Sequence, residues 1–334
     1  MSYTPPYHIT ATAVNLIAEI SEKIGMLTAF SDNPLHVQLR KKNRIKTIQS
    51  SLAIENNTLT IDQITAIIEG KRILGPPKDI LEVKNAVKAY DILMELNPYK
   101  EKDLLKAHRL MMADLVTESG KYRTSGVGIF NGKEVIHVAP PAQRVPLLMS
   151  ELFEWLKKSK EHPLIKSCVF HYEFECIHPF EDGNGRTGRL WQTVILKKWK
   201  PVFAWIPVET LVKKKQQAYY NAFNVSNNNA DSTVFIDFML TLINDSISEI
   251  LDKQNDKKVT VKVTVKVTVK VTVNQQKIIN ALKDNPFVTQ KELATIVGIT
   301  EKSVKSNMKK LQQNNIIRRI GADKNGHWEL ISPE

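Results

Sequence analysis

Only two cysteines, Cys168 and Cys176, occur in 334 residues. They cannot build a disulfide framework, and alone they cannot make a cysteine-based zinc site, so the chain suits a reducing cytoplasm. The opening MSYTPPYHITATAV has no basic stretch followed by an apolar run, so no signal peptide is expected. No apolar run approaches the ~18 residues that span a bilayer, so no membrane partner is expected. Acid is in deficit: 47 Lys+Arg against 35 Asp+Glu give a net charge of +12. What remains is an ordinary globular composition, 42% hydrophobic, in a chain too long for one small core, and two or more domains are expected.

The basic surplus is uneven. Residues 253–334 hold 16 basic and 7 acidic side chains, a net of +9, while residues 1–252 net only +3. If nucleic acid binds, the C-terminal quarter is where charge would draw it. Residues 9–250 carry apolar positions three and four apart, as in AVNLIAEISEKIGML, ILEVKNAVKAYDILMEL and VPLLMSELFEWLKK, which predicts a mostly α-helical fold. One segment breaks this pattern. GVGIFNGKEVIHVAPPA sets Asn131-Gly132 between the β-rich runs Val127–Phe130 and Val135–Val138, a hairpin signal.

Residues 257–273 read KKVTVKVTVKVTVKVTV, with valine at every odd position from Val259 to Val273. This period of two predicts an extended strand or stiff linker, and pairing with a copy from another chain would make a homo-oligomer. Residues 274–334 then give three helical patterns, with Thr289 and Thr300 as N-caps and Gly298 as a stop, and two β-rich runs around Asp323–Gly326. This order predicts a small winged helix-turn-helix with Lys302, Lys305, Lys309 and Lys310 on or near its recognition helix. The expected division is 1–110 as an N-terminal helical region, 111–252 as a catalytic core, 253–273 as strand or linker, and 274–334 as the winged domain.

The densest chemistry lies in HPFEDGNGRTGR, residues 178–189. Pro179 disfavours helix at His178. Gly183 and Gly185 expose successive N–H groups, and a helix resuming near Arg186 or Thr187 would point its positive end at the same place, which makes an anion site. Arg186 and Arg189 are three apart, and their forks match phosphate oxygens. Asp182 suits Mg²⁺, which takes one carboxylate plus substrate phosphates. His178 suits a general base. A metal hydrolase built on His171, His178 and Asp182 ranks lower, because the spacing lacks the i, i+4 histidine pair of helix-borne zinc sites.

The twelve residues resemble the signature of Fic-domain proteins, HPFx(D/E)GNGRxxR, at every fixed position. The similarity extends over about residues 40–250: GKYR at 120–123 resembles the family's GxYR segment, the hairpin its flap, and AYYNAF at 218–223 its nucleotide-side helix. The resemblance implies an all-helical core with one β-hairpin and transfer of AMP from Mg-ATP to a Ser, Thr or Tyr hydroxyl of a protein, the chain itself included. It implies His178 as base and Asp182 as the Mg²⁺ ligand. Gly183, Asn184, Gly185, Arg186, Thr187, Gly188 and Arg189 would hold the phosphates, and Asn221 would lie near the adenosine. Val127, Gly128, Ile129, Val135, Ile136 and His137 would form the flap that takes the target as an added strand.

Ser51-Leu-Ala-Ile-Glu55-Asn56 would pass for an ordinary helical turn, with Ser51 and Glu55 on one face. It also fits the family's inhibitory pattern (S/T)xxxE(G/N). This implies a helix over about 40–56 whose Glu55 pairs with Arg189 and leaves ATP misaligned. Some inhibited members also remove AMP with the same glutamate. Two other functions compete: a DNA-binding regulator with a core of low activity, and transfer of another nucleotide such as UMP.

Overall fold

The computed structural model describes residues 3–28, 34–126, 128–131, 134–264, 272–314, 316–320 and 327–331. The chain divides into two compact units, Met1–Asp252 and Lys253–Glu334. The first unit is helical apart from one hairpin. Its helices are α1 (Ala11–Thr28), α2 (Pro34–Ile54), α3 (Ile61–Ile68), α4 (Pro77–Asp91), α5 (Glu101–Met111), α6 (Val145–Lys158), α7 (Pro163–Ile177), α8 (Asn184–Trp199), α9 (Val208–Lys214), α10 (Gln216–Asn229) and α11 (Thr233–Thr264), whose residues from Lys253 on belong to the second unit.

The antiparallel pair α7 and α8 forms the centre, and the signature loop joins them. Nearly every residue of both helices is buried. Phe153, Phe170, Phe174, Phe180, Trp191 and Phe235 pack around them. Burial of each such ring contributes about 1.5–3 kcal/mol, so this pair is a rigid base for the loop. α7 opens with Pro163 at a first-turn position, where proline is pre-set for a helix. It stops because His178, held before Pro179, turns left-handed (φ 49°). α8 starts at Asn184, two residues earlier than the sequence suggests, because Gly183 is its N-cap at φ 80°. α4 ends at Asp91, short of the predicted run through Leu96.

The hairpin comprises β1 (Gly128–Asn131) and β2 (Glu134–Val138), antiparallel, with Asn131 opposite Glu134 and a bulge at Ile129/Phe130. Relative to the predicted runs, β1 takes in Asn131 and β2 takes in Glu134, each one residue further toward the turn. Val127, Gly132 and Lys133 lie outside the described residues.

The second unit holds α12 (Val273–Asp284), α13 (Gln290–Val297) and α14 (Glu301–Gln313), followed by the antiparallel strands β3 (Ile317–Ile320) and β4 (His327–Leu330). Thr289 and Thr300 cap their helices, and Gly298 ends α13 at φ 75°. Val304, Met308 and Leu311 turn one face of α14 into a core with Ile278, Leu282 and Leu293. Lys302, Lys305, Lys309 and Lys310 stand exposed on the other side. The predicted turn residues Asp323–Gly326 lie outside the described residues.

The KVTV repeat departs from its pattern. Lys257–Thr264 continues α11 as helix, so the strand reading does not hold there, and residues 265–271 lie outside the described residues. The physical reason is backbone hydrogen bonding. A lone strand leaves its ladder groups unpaired, whereas a helix satisfies them within itself despite the poor propensity of valine and threonine.

Candidate active site

The loop 180–184 is closed by one side chain. Asn184 Oδ1 accepts from Phe180 N–H, and its Nδ2 donates to Phe180 O, both at 2.8 Å. The Asn184 side chain is therefore a clip, and its backbone N–H is what it offers at the start of α8. Gly183 is required twice over. Its φ is positive, and a Cβ there would stand 2.5 Å from Met112 Sδ.

Asp182 lies at the mouth of this turn, its side chain 53% exposed. Its Oδ1 takes the Gly183 N–H at 2.5 Å and Arg186 Nη2 at 3.1 Å. Its carbonyl is held by His108, whose ring stacks on Phe180 with centroids 3.6 Å apart. Gly120 N–H donates to His108 Nδ1 at 2.8 Å, so the ring proton sits on Nε2 and points at Asp182 O, 3.0 Å away. Burial pushes the His108 pKa down to about 4, with smaller opposing help from Asp182, and the ring stays neutral.

His178 is half-buried at the end of α7. Arg123 fixes it: Nε donates to His178 O at 2.8 Å, and the Arg123 N–H to Pro179 O at 2.9 Å. The same guanidinium donates to Ser125 O at 2.9 Å and Pro140 O at 2.6 Å, the two roots of the hairpin. His171, in contrast, is a core residue, bonded to Gln192 Oε1 at 2.9 Å and to Tyr219 OH at 3.2 Å. Burial holds its pKa down at about 4.

The two arginines of the loop are each 4% exposed, and each meets a carboxylate from outside the signature. Arg186 pairs with Glu82 at 3.2 Å. Arg189 pairs with Glu55 Oε1 at 2.8 Å and also donates to Ser51 O at 3.0 Å and Ser51 Oγ at 3.3 Å. Burial opposes the Arg189 charge, but Glu55, Tyr219 and Glu175 together outweigh it, so the net shift is upward. Glu55 lies directly over Gly185: a Cβ there would meet Glu55 Oε1 at 2.6 Å and Arg189 Nη1 at 2.9 Å. Beneath, Glu175 lies against Gly188, 2.6 Å from where a Cβ would sit. Burial raises the Glu175 pKa to about 7, against the pull of Arg189.

α2 holds Glu55 in place. Ile48 and Leu52 bury its inner face, and α9 packs along it. Its last carbonyls are capped from outside, Ala53 O by Lys213 Nζ at 2.6 Å and Ile54 O by Gln216 Nε2 at 3.2 Å. Asn221 lies exposed on α10 and accepts from Gln217 of the same helix. Thr187 is buried within the first turn of α8. His108, Glu82 and Glu175 were not singled out from the sequence. Each is an ordinary polar position in a helical pattern, and only the tertiary fold brings it to the loop.

Among the described residues no disulfide forms: Cys168 is buried and Cys176 half-buried. No helix among the described residues is long and apolar enough to cross a membrane.

The Fic/DOC family profile matches residues 98–196, and a winged helix-turn-helix DNA-binding profile matches residues 272–318. Among curated proteins, the chain is 28% identical over 232 residues to the protein adenylyltransferase Fic of Aedes aegypti, covering 66% of this chain and 44% of that one. It is 30% identical over 210 residues to the protein of the same name from Culex quinquefasciatus, covering 60% and 40%. The chain thus spans less than half the length of these relatives. Among solved structures, Fic-1 of C. elegans (aa 134–508) shares the fold at a TM-score of 0.59 and 20% identity, covering 73% of this chain and 74% of that one. A Fic family protein from Desulfovibrio desulfuricans G20 is 43% identical, with a TM-score of 0.73 over 98% of both chains. With that relative matched from end to end and the signature loop built as described, the chain belongs to the Fic family.

Proposed function

We propose that the protein is an autoinhibited adenylyltransferase that moves AMP from Mg-ATP to a hydroxyl side chain of a protein, itself included. The observation that carries this reading is the seat of Glu55: its carboxylate occupies the surface of Gly185 and the guanidinium of Arg189, where the nest has anion-binding chemistry. His178 would take the proton of the incoming hydroxyl. The hydroxyl oxygen then bonds to the α-phosphorus, the bond from phosphorus to the bridging oxygen breaks, and pyrophosphate leaves with that electron pair. Gly183, Asn184 and Gly185 would stabilise the phosphates through backbone N–H groups, and Arg186 and Arg189 through their forks. Asp182, exposed at the mouth of the nest and already a hydrogen-bond acceptor, fits a Mg²⁺ ligand, and the ion would offset phosphate charge. The edge of the hairpin would take the target segment by main-chain bonds, with little demand on its sequence.

The names of the curated relatives support this choice of reaction. Incubating the Glu55→Gly protein with each of the four labelled nucleoside triphosphates tests it. Label is expected on protein hydroxyls from α-labelled ATP, and none from γ-labelled ATP. Preferential transfer from UTP, or transfer of the γ-phosphate, would overturn the assignment.

A second reading concerns the C-terminal unit alone. We propose that residues 274–334 bind DNA, from the net charge of the C-terminal quarter and the four exposed lysines of α14. Retention of this unit on duplex DNA should fall steeply as salt rises, with a slope lowered by about one for each lysine replaced. Retention that ignores salt would count against it.

A further inference from the structure

Two buried side chains beside the nest take no part in the reaction above. Glu82, in the second turn of α4, is 5% exposed. Its Oε1 accepts from Arg186 Nη1 at 3.2 Å, and its Oε2 accepts from Asn57 Nδ2 at 2.8 Å. Asn57 stands two residues after Glu55. Its N–H donates to Leu52 O at 3.1 Å, closing the turn that ends α2, and its Oδ1 takes Leu59 N–H at 3.1 Å. Its Nδ2 also donates to Asp79 O at 3.1 Å. One carboxylate is thus shared between the inhibitory turn and the first arginine of the loop.

Arg186 is held through its two terminal nitrogens. Nη1 goes to Glu82 and Nη2 to Asp182, while Nε is buried with no hydrogen-bond partner among the described residues. A planar guanidinium fixed through two corners, with a further donor unfilled, is pre-set for an anion. Remove the carboxylate that fixes it, and the fork must be oriented at the moment of binding. Nor is Gln a neutral replacement. Both neighbours of the Glu82 carboxylate are donors, so an amide facing them turns its own NH₂ toward either Asn57 or Arg186.

We propose that Glu82 is a positioning residue for nucleotide binding, the middle of a relay Asn57–Glu82–Arg186 through which the turn that carries Glu55 acts on Arg186 as well as on Arg189. Glu55 reaches Arg189 directly, and Asn57 reaches Arg186 through Glu82, so one short turn sets both forks. The inference rests on the nest being the nucleotide phosphate site.

The test is a double-mutant cycle on Mg-ATP affinity, measured by calorimetry on the full chain in the Glu55→Gly background. Glu82→Gln should weaken binding about tenfold, the scale of one charge-assisted contact. Arg186→Gln should weaken it at least as much. The double variant should bind within about twofold of Arg186→Gln alone, because the two residues act as a unit. A purely structural role for Glu82 predicts instead that the two losses multiply, and that result would overturn the proposal. So would parent-like binding by Glu82→Gln. If Arg186→Gln itself binds like the parent, the phosphate-site reading fails first and the relay falls with it. Should Glu82→Gln not fold, Asn57→Ala replaces it in the cycle: it keeps the ion pair but removes its tether, and a fewfold loss that vanishes in Arg186→Gln is expected. Unchanged affinity in Asn57→Ala would sink the relay.

Discussion

Glu55→Gly will raise self-modification by labelled ATP roughly a hundredfold over the unaltered chain, the scale at which misplacement of reacting atoms is corrected. The variant removes the carboxylate from over Gly185 and frees one face of Arg189. It does not leave the arginine adrift, because Ser51 still holds it through its carbonyl and hydroxyl. The cost to the fold is small. Glu55 is the first residue past the end of α2, and its side chain is 35% exposed. Glycine at such a position just past a helix end costs at most about 1 kcal/mol, and a thermal melt beside the labelling assay will register it as a shift of a few degrees. Equal labelling of the two proteins would end the autoinhibition proposal while leaving the transferase reading open.

In that released background, His178→Ala will cut transfer by about 10²–10⁴-fold, the range for losing a general base. Nucleotide affinity should hold, because the phosphate contacts belong to the loop and α8. A backbone effect must be separated from a chemical one, since His178 sits in the left-handed region, where alanine is strained. His178→Asn settles this. Asparagine tolerates that conformation but cannot take the proton, so it should lose as much transfer as alanine while melting like the parent. Transfer persisting in both would refute the role of His178.

The signature loop could be read from the chain because its parts are contiguous: glycines, acid, arginines and base occupy twelve positions, and each has a local physical reason. Helices with a clean period of three and four were legible for the same cause. The Glu55–Arg189 pair spans 134 positions. It entered only through resemblance, since a Ser and a Glu four apart say nothing of what they face. His108 and Glu82 were opaque in a different way. His108 and Glu82 lie at buried positions of amphipathic helices, where an apolar residue would have been the default, and the reason for a polar one is a partner 74 or 104 positions away. The KVTV repeat misled because alternation dominates its pattern, while the need for a partner strand is invisible in the sequence itself. Lys257–Thr264 resolves that need as helix.

Arg123 acts like the zero mark of a ruler. One guanidinium fastens both roots of the hairpin, through Ser125 and Pro140, to the backbone of His178. An incoming segment that pairs with the hairpin edge would therefore be measured off from the imidazole in steps of about 3.3 Å per residue. The residue modified would be chosen by its distance along the segment, and two unrelated sequences carrying a hydroxyl at the same step would be equivalent to the enzyme. A target set with no shared motif but a shared geometry is what such a fixed origin would select.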